Sequence, residues 1–131
     1  MEALLIPKTD LEVLQSFRSD GNITLSAYLQ LDTPERRESA YETFEKQIRD
    51  RLEECKPGPD CRKAIKEDVE IVKLYLKTNG HRKAESLAIF SCAAELFWRA
   101  YTLHSPIASQ VSVGHRFDIE PLVHKSLSRG E

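Results

Sequence analysis

The sequence predicts an α+β domain: a four-stranded, mostly antiparallel or mixed sheet with a long antiparallel helical hairpin and two further helices. Three observations carry this. Between residues 34 and 79 two apolar stripes of helical period flank a Pro-Gly-Pro break. Strand-forming runs lie in blocks on either side of that pair instead of alternating regularly with helices, which favours layered α+β over a doubly wound sheet. At 131 residues, with 40% hydrophobic and 31% charged side chains, the chain is long enough to bury one core.

Taken in order, Thr9 and Glu12 have the form of a capping box, and Leu11, Leu14 and Phe17 follow at helical spacing. Asp20-Gly21 ends that helix. Residues Ile23 to Leu31 read as a strand with Ile23, Leu25, Ala27, Leu29 and Leu31 on the core face. Thr33 is the expected cap of a long helix, with Pro34 at a position where its missing N–H costs nothing. Its stripe is Tyr41, Phe44, Ile48 and Leu52. After the break a second stripe runs Ile65, Val69, Val72 and Leu76, closed by Asn79-Gly80. Two such helices joined by a short turn form a hairpin whose tip is residues 56 to 60. Strands are expected over Leu87 to Cys92 and Leu96 to Leu103, around an Ala93-Ala94-Glu95 turn that lacks the usual glycine. Pro106 breaks the chain, Gln110 to Gly114 gives a fourth strand, and Asp118 to Leu127 a closing helix with Pro121 in its first turn. Ser126 to Glu131 reads as a polar stop.

The formal charge of −2 gives no global attraction to nucleic acid, so an RNA-binding surface has to come from local segregation of Lys and Arg. No apolar run approaches the length of a membrane span, and Met1 opens no basic-then-apolar leader. The cytoplasm is the expected compartment and a membrane is not an expected partner. Three cysteines without a secretion signal read as reduced thiols. Cys55 and Cys61 stand as C-x5-C with no second ligand pair, so a structural zinc site is not expected, and the pair reads as small residues at facing helix ends. Cys92 on its strand reads as a structural thiol; a nucleophile with His104 or His115 as base would need an oriented base and oxyanion donors that no motif supplies. His81 and His124 share no ligand spacing with the other histidines. There is no Gly-rich phosphate loop, and no cofactor, metal or catalytic residue is expected.

Charge on the hairpin is the remaining signal. Lys56, Arg62, Lys63 and Lys66 stand against Asp60 around Pro57-Gly58-Pro59, and Lys77, Arg82 and Lys83 follow at the far end. Such a run reads either as a solvated face or as an RNA-facing tip.

Three stretches, G-N-I-T-L-S-A-Y-L-Q-L-D (21–32), E-S-L-A-I-F-S-C (85–92) and V-S-V-G-H-R-F-D-I-E-P-L (111–122), occur in the order strand, helical hairpin, strand hairpin, strand and closing helix. Over roughly Gly21 to Leu127 this resembles the N-terminal domain of the archaeo-eukaryotic peptide chain release factor superfamily, and most of all its bacterial branch, related to ribosome-rescue peptidyl-tRNA hydrolases. The family's three stop-codon-reading motifs are all altered. Its Asn-Ile-Lys-Ser falls at Lys56 to Pro59, and its Gly-Thr-Ser at Gly21-Asn22-Ile23. Its Tyr-x-Cys-x-x-x-Phe falls at Val111 to Phe117, where only the Phe is kept. The family's catalytic Gly-Gly-Gln loop belongs to a following domain. The resemblance therefore implies that residues 1–131 are a single non-catalytic recognition domain at the N-terminus of a longer, ribosome-associated protein. Lys56, Arg62, Lys63 and Lys66 would be its RNA-contact residues and Pro57, Gly58 and Pro59 its hairpin tip. A protein-interaction module that kept the fold and lost ribosome binding is the alternative.

Overall fold

The computed structural model of the chain describes residues 6–18, 22–54, 59–79 and 83–123, with the backbone alone at 54, 59–62 and 64. Along it run α1 (Lys8–Ser16), β1 (Thr24–Gln30), α2 (Pro34–Glu38), α3 (Ala40–Glu54), α4 (Pro59–Asn79), β2 (Ser86–Cys92), β3 (Phe97–Leu103) and β4 (Gln110–Gly114). A single 3-10 turn, Ala93–Glu95, joins β2 to β3. The four strands form one sheet in the order β3-β2-β1-β4, every pairing antiparallel. The α+β architecture expected from the sequence is the one observed.

The sheet is the middle of three layers. One face carries the α3–α4 hairpin. Phe44, Ile48, Ile65, Val72 and Leu76 close there on Leu25, Ala27, Leu29, Leu87 and Ile89, the side chains expected at the core face of β1 among them. The opposite face is also covered. Leu14 of α1, with Ile107, Phe117 and Leu122 from the segment after β3, packs on Tyr28, Ala88, Phe90 and Cys92. Both faces of β1 and β2 are therefore buried, whereas only one face of β1 was expected to be.

The second face was hidden because β1 builds it from polar side chains that hydrogen-bond as they are buried. The Tyr28 hydroxyl donates to the Asp118 carbonyl, the Asp118 N–H donates to Ser26 Oγ at 2.9 Å, and Thr24 Oγ1 donates to the Gly114 carbonyl at 2.9 Å. These bonds hold the segment after β4 under the sheet. Burying a hydroxyl without such a partner costs on the order of 1–3 kcal/mol, so the pairing is what makes these positions tolerable.

Several expectations are corrected. The first helix starts at Lys8 with Pro7 at its cap and no side-chain capping bond, so the Thr9–Glu12 capping box is not formed. Phe17 lies just past that helix, in extended backbone that turns it toward other rings. Thr33 does cap, accepting from the Arg36 N–H at 3.2 Å, but the helix it opens stops at Glu38 and restarts at Ala40. Ser39 lies at the break, its Oγ and its N–H both donating to the Glu35 carbonyl at 3.0 Å, a shared acceptor of the kind that bends a helix. The β2–β3 turn dispenses with glycine because Leu96 itself adopts the left-handed conformation, φ 54°. Of the closing helix one turn is described, residues 120–123. Asp20-Gly21, Gly80 and Leu127 lie outside the described residues.

Candidate nucleic-acid interface

The sheet has two ends, and one collects the segments singled out in the sequence. Pairing of Thr24 with Gly114 and of Cys92 with Phe97 places the residues before β1, the β2–β3 turn and the residues after β4 together there. Asn22 donates from Nδ2 to a Glu95 carboxylate oxygen at 2.6 Å, and His115 Nδ1 lies 3.3 Å from the Asn22 carbonyl.

The helical hairpin is tied to this same end by a buried carboxylate. Asp68 of α4 accepts from Ser91 Oγ at 2.5 Å and from the Ala93 N–H at 2.7 Å. Asp68 and Ser91 are both buried. Toward the hairpin turn, Ile65 is the last buried side chain described, and α4 runs six residues further, about 9 Å at 1.5 Å per residue. The first turns of α4 thus run on toward the tip from the point at which Asp68 holds the β2–β3 turn.

Of the four basic residues expected at the tip, Lys63 and Lys66 are exposed one turn apart on α4, and neither forms an ion pair among the described residues. Lys56, Pro57 and Gly58 lie outside the described residues, as does Cys55. At Pro59, Cys61 and Arg62 the backbone alone is described, as the first turn of α4. The basic residues at the other end of α4 are not alike. Lys77 sits 5.6 Å above the Tyr41 ring, Lys73 pairs with Glu45 at 3.3 Å, and Arg82 lies outside the described residues. Among the described residues Lys63 and Lys66 are exposed with neither an ion pair nor a ring contact, and so is Lys83 beyond the other end of α4.

Cys92 is fully buried, its Sγ 3.6 Å from the Ile23 carbonyl, and burial pushes the thiol up from its ordinary value, which keeps it protonated. His104 and His115 are exposed on loops. Among the described residues no three His, Cys, Asp or Glu side chains gather as metal ligands, and no helix is long and apolar enough to cross a membrane.

Two features of this end escaped the sequence reading. Asp68 falls between the apolar positions Ile65 and Val69, where a carboxylate reads as solvent-facing. The exposed Arg116 stands inside the 111–122 stretch with no hydrogen bond or ion pair among the described residues.

The fold has a counterpart among solved structures. One described as an archaeal protein superposes with a TM-score of 0.65 at 17% identity, covering 95% of this chain and 37% of its own. The likeness is one of fold. The chain spans about a third of that archaeal protein, so the domain occurs there as part of something larger. No model of a known protein family matches the sequence, and no curated protein does.

Proposed function

We propose that the chain is a non-catalytic recognition domain of a release-factor-like, ribosome-associated protein, and that its hairpin end meets RNA phosphates. The observation that carries this is convergence. The α4 turn that carries Asp68, the residues before β1 and those after β4 occupy one end of the sheet, and Lys63 and Lys66, on α4 just ahead of Asp68, are exposed with no ion pair among the described residues. The release-factor resemblance puts one decoding motif at Gly21 to Ile23 and another at Val111 to Phe117, the last two of these places, and its third at Lys56 to Pro59, of which only the Pro59 backbone is described. Because all three motifs are altered here, the domain engages RNA by charge and does not read a stop codon. Lys56, Arg62, Lys63 and Lys66 position it on the backbone, and phosphate contacts of that kind carry register without sequence information.

Sedimentation with ribosomes at low and high salt tests the reading. Wild-type protein co-sediments at low salt and is released as salt rises. The Lys56→Ala, Arg62→Ala, Lys63→Ala, Lys66→Ala quadruple variant binds weakly and with a shallower salt dependence, each lost phosphate contact removing roughly 0.7–0.9 from the slope of log affinity against log salt. Failure of the wild-type protein to co-sediment under any salt condition refutes the proposal.

A second reading, a protein-interaction module, is favoured by one observation: Leu96 is 95% exposed at the crest of the same end. A stable partner recovered from ribosome-free lysate after nuclease treatment would select it.

A further inference from the structure

On the face of the sheet away from the hairpin, three phenylalanines meet at the same end. Phe17, Phe97 and Phe117 form a closed triangle, with centroids 4.7 Å apart for Phe17–Phe97, 4.9 Å for Phe17–Phe117 and 5.2 Å for Phe97–Phe117. They come from three separate segments: the end of α1, the start of β3 and the loop after β4. Each brings an exposed arginine with it. Arg18 follows Phe17, and its guanidinium donates to the Phe17 carbonyl at 3.0 Å and to that of Gln15 at 3.4 Å. Arg99 lies 4.8 Å above the Phe97 ring and donates to the Trp98 carbonyl at 2.9 Å. Arg116 precedes Phe117.

Among the described residues none of the three arginines forms a salt bridge. This is unusual placement for a chain whose acidic residues outnumber its basic ones, 21 to 19. Three carboxylates of this end take neutral donors instead: Asp10 accepts from the Tyr101 hydroxyl at 3.2 Å, on which Arg99 also acts, Glu95 accepts from Asn22, and Asp118 from Ser112 Oγ at 3.1 Å. Arg18 and Arg99 are held by their own chain through neutral carbonyls and a ring, contacts that restrain the guanidinium without neutralising it. A restrained, un-neutralised guanidinium presents paired N–H donors that match phosphate geometry.

We propose that Arg18, Arg99 and Arg116 form a second phosphate-binding surface, for the phosphodiester backbone of RNA, on the face of the sheet opposite the hairpin. This rests on the RNA-facing reading of the sheet end and extends it: a strand lying across the end past Leu96 touches Lys63 and Lys66 on one side and the arginines on the other. Glutamine at the three positions removes the charge while keeping part of each stem, including that of Arg99 over the Phe97 ring.

The test is fluorescence anisotropy of the 131-residue chain with labelled oligouridylate over a salt series, comparing wild type with the Arg18→Gln, Arg99→Gln, Arg116→Gln variant and separately with Lys63→Gln, Lys66→Gln. The arginine variant is expected to lose affinity at least tenfold at low salt, and its salt slope to fall by roughly 0.7 for each phosphate contact removed. Thermal midpoints check folding, and if the triple variant is unfolded Arg116→Gln alone, which has no described contact to lose, carries the test. Wild-type affinity and slope in the folded variant overturn the arginine surface while leaving the lysine arm to judge the hairpin. Polyglutamate competing as well as unlabelled oligouridylate at equal charge and ionic strength would also overturn the phosphate assignment. Absence of wild-type binding overturns the surface outright, whereas the earlier proposal stands or falls on ribosome sedimentation.

Discussion

Replacing Asp68 by Ala removes a carboxylate that ties the helical hairpin to the sheet end. Two donors lose their acceptor together: Ser91 Oγ, buried under α4, and the half-buried Ala93 N–H. A buried donor left unpaired costs about 1–3 kcal/mol. Because the Ala93 N–H is only half-buried and counts for less than a fully buried donor, the pair together costs about 2–5 kcal/mol, with the lower end reached if water enters beside Ala93. With an unfolding entropy of about 2.1 cal/mol/K per residue, 1 kcal/mol corresponds to about 3.6 °C in a 131-residue chain, so Tm falls by roughly 7–18 °C. Urea unfolding followed by circular dichroism measures the free energy. A cycle with Ser91→Ala isolates the bond between the two side chains, whose coupling is expected to exceed about 1 kcal/mol because the acceptor is charged. Amide exchange at Ala93 should accelerate in Asp68→Ala more than at residues on β4. A loss below about 1 kcal/mol, or a coupling near zero, would refute the view that this carboxylate is the clasp between hairpin and sheet.

Burial raises the Tyr28 phenol far above its ordinary value of 10.0, with the Asp118 charge adding to it, and burial followed by Asp10 pushes Tyr101 up to about 12. Stability that depends on neutral phenols is whole below pH 10 and is lost as pH climbs from 10 through 12 and beyond. Urea midpoints should therefore drop above about pH 10, and the drop should be shallower in Tyr28→Phe, Tyr101→Phe; an identical decline would refute the assignment. Leu96→Gly should raise stability by about 0.5–1 kcal/mol, since relief of the left-handed leucine outweighs the added freedom of glycine, and a lowered Tm would show that Leu96 is not strained. Thr33→Ala should cost about 1 kcal/mol through the lost cap on Arg36, read as a lower urea midpoint.

Much of the fold was legible because the hairpin stripes and the Leu25, Ala27, Leu29 face of β1 obey simple periods, and those side chains do form the larger core. The second core was not, because Thr24, Ser26 and Tyr28 give no sign of burial in a hydropathy pattern and are reconciled with it by hydrogen-bond partners some ninety residues away. The same limit applies to the site. Lys63 and Lys66 stand out as charges in sequence, but Asp68 between apolar neighbours is indistinguishable from a surface acid until Ser91 is placed against it. Arg18, Arg99 and Arg116 lie far apart along the chain, and the segments that carry them meet only through the three phenylalanines. The helix break at Ser39 was missed for a local reason: serine's side chain shares the Glu35 carbonyl with its own N–H, a bend with no mark in hydropathy, and the apolar stripe of α3 carries on regardless.

β1 lies between β2 and β4, and neither neighbour is close to it in the chain: Thr24 pairs with Gly114 and Leu25 with Ser91. During synthesis at about 5–20 residues per second, β1 therefore waits roughly 5–20 s for its second partner to be made. Meanwhile α3 with α4, and later β2 with β3, can close as local hairpins on far shorter times. The strand at the centre of the finished sheet is thus the earliest strand made and among the last to be enclosed. A nascent chain halted before residue 110 would carry a β1 with one edge unpaired, a template for the wrong strand of another molecule.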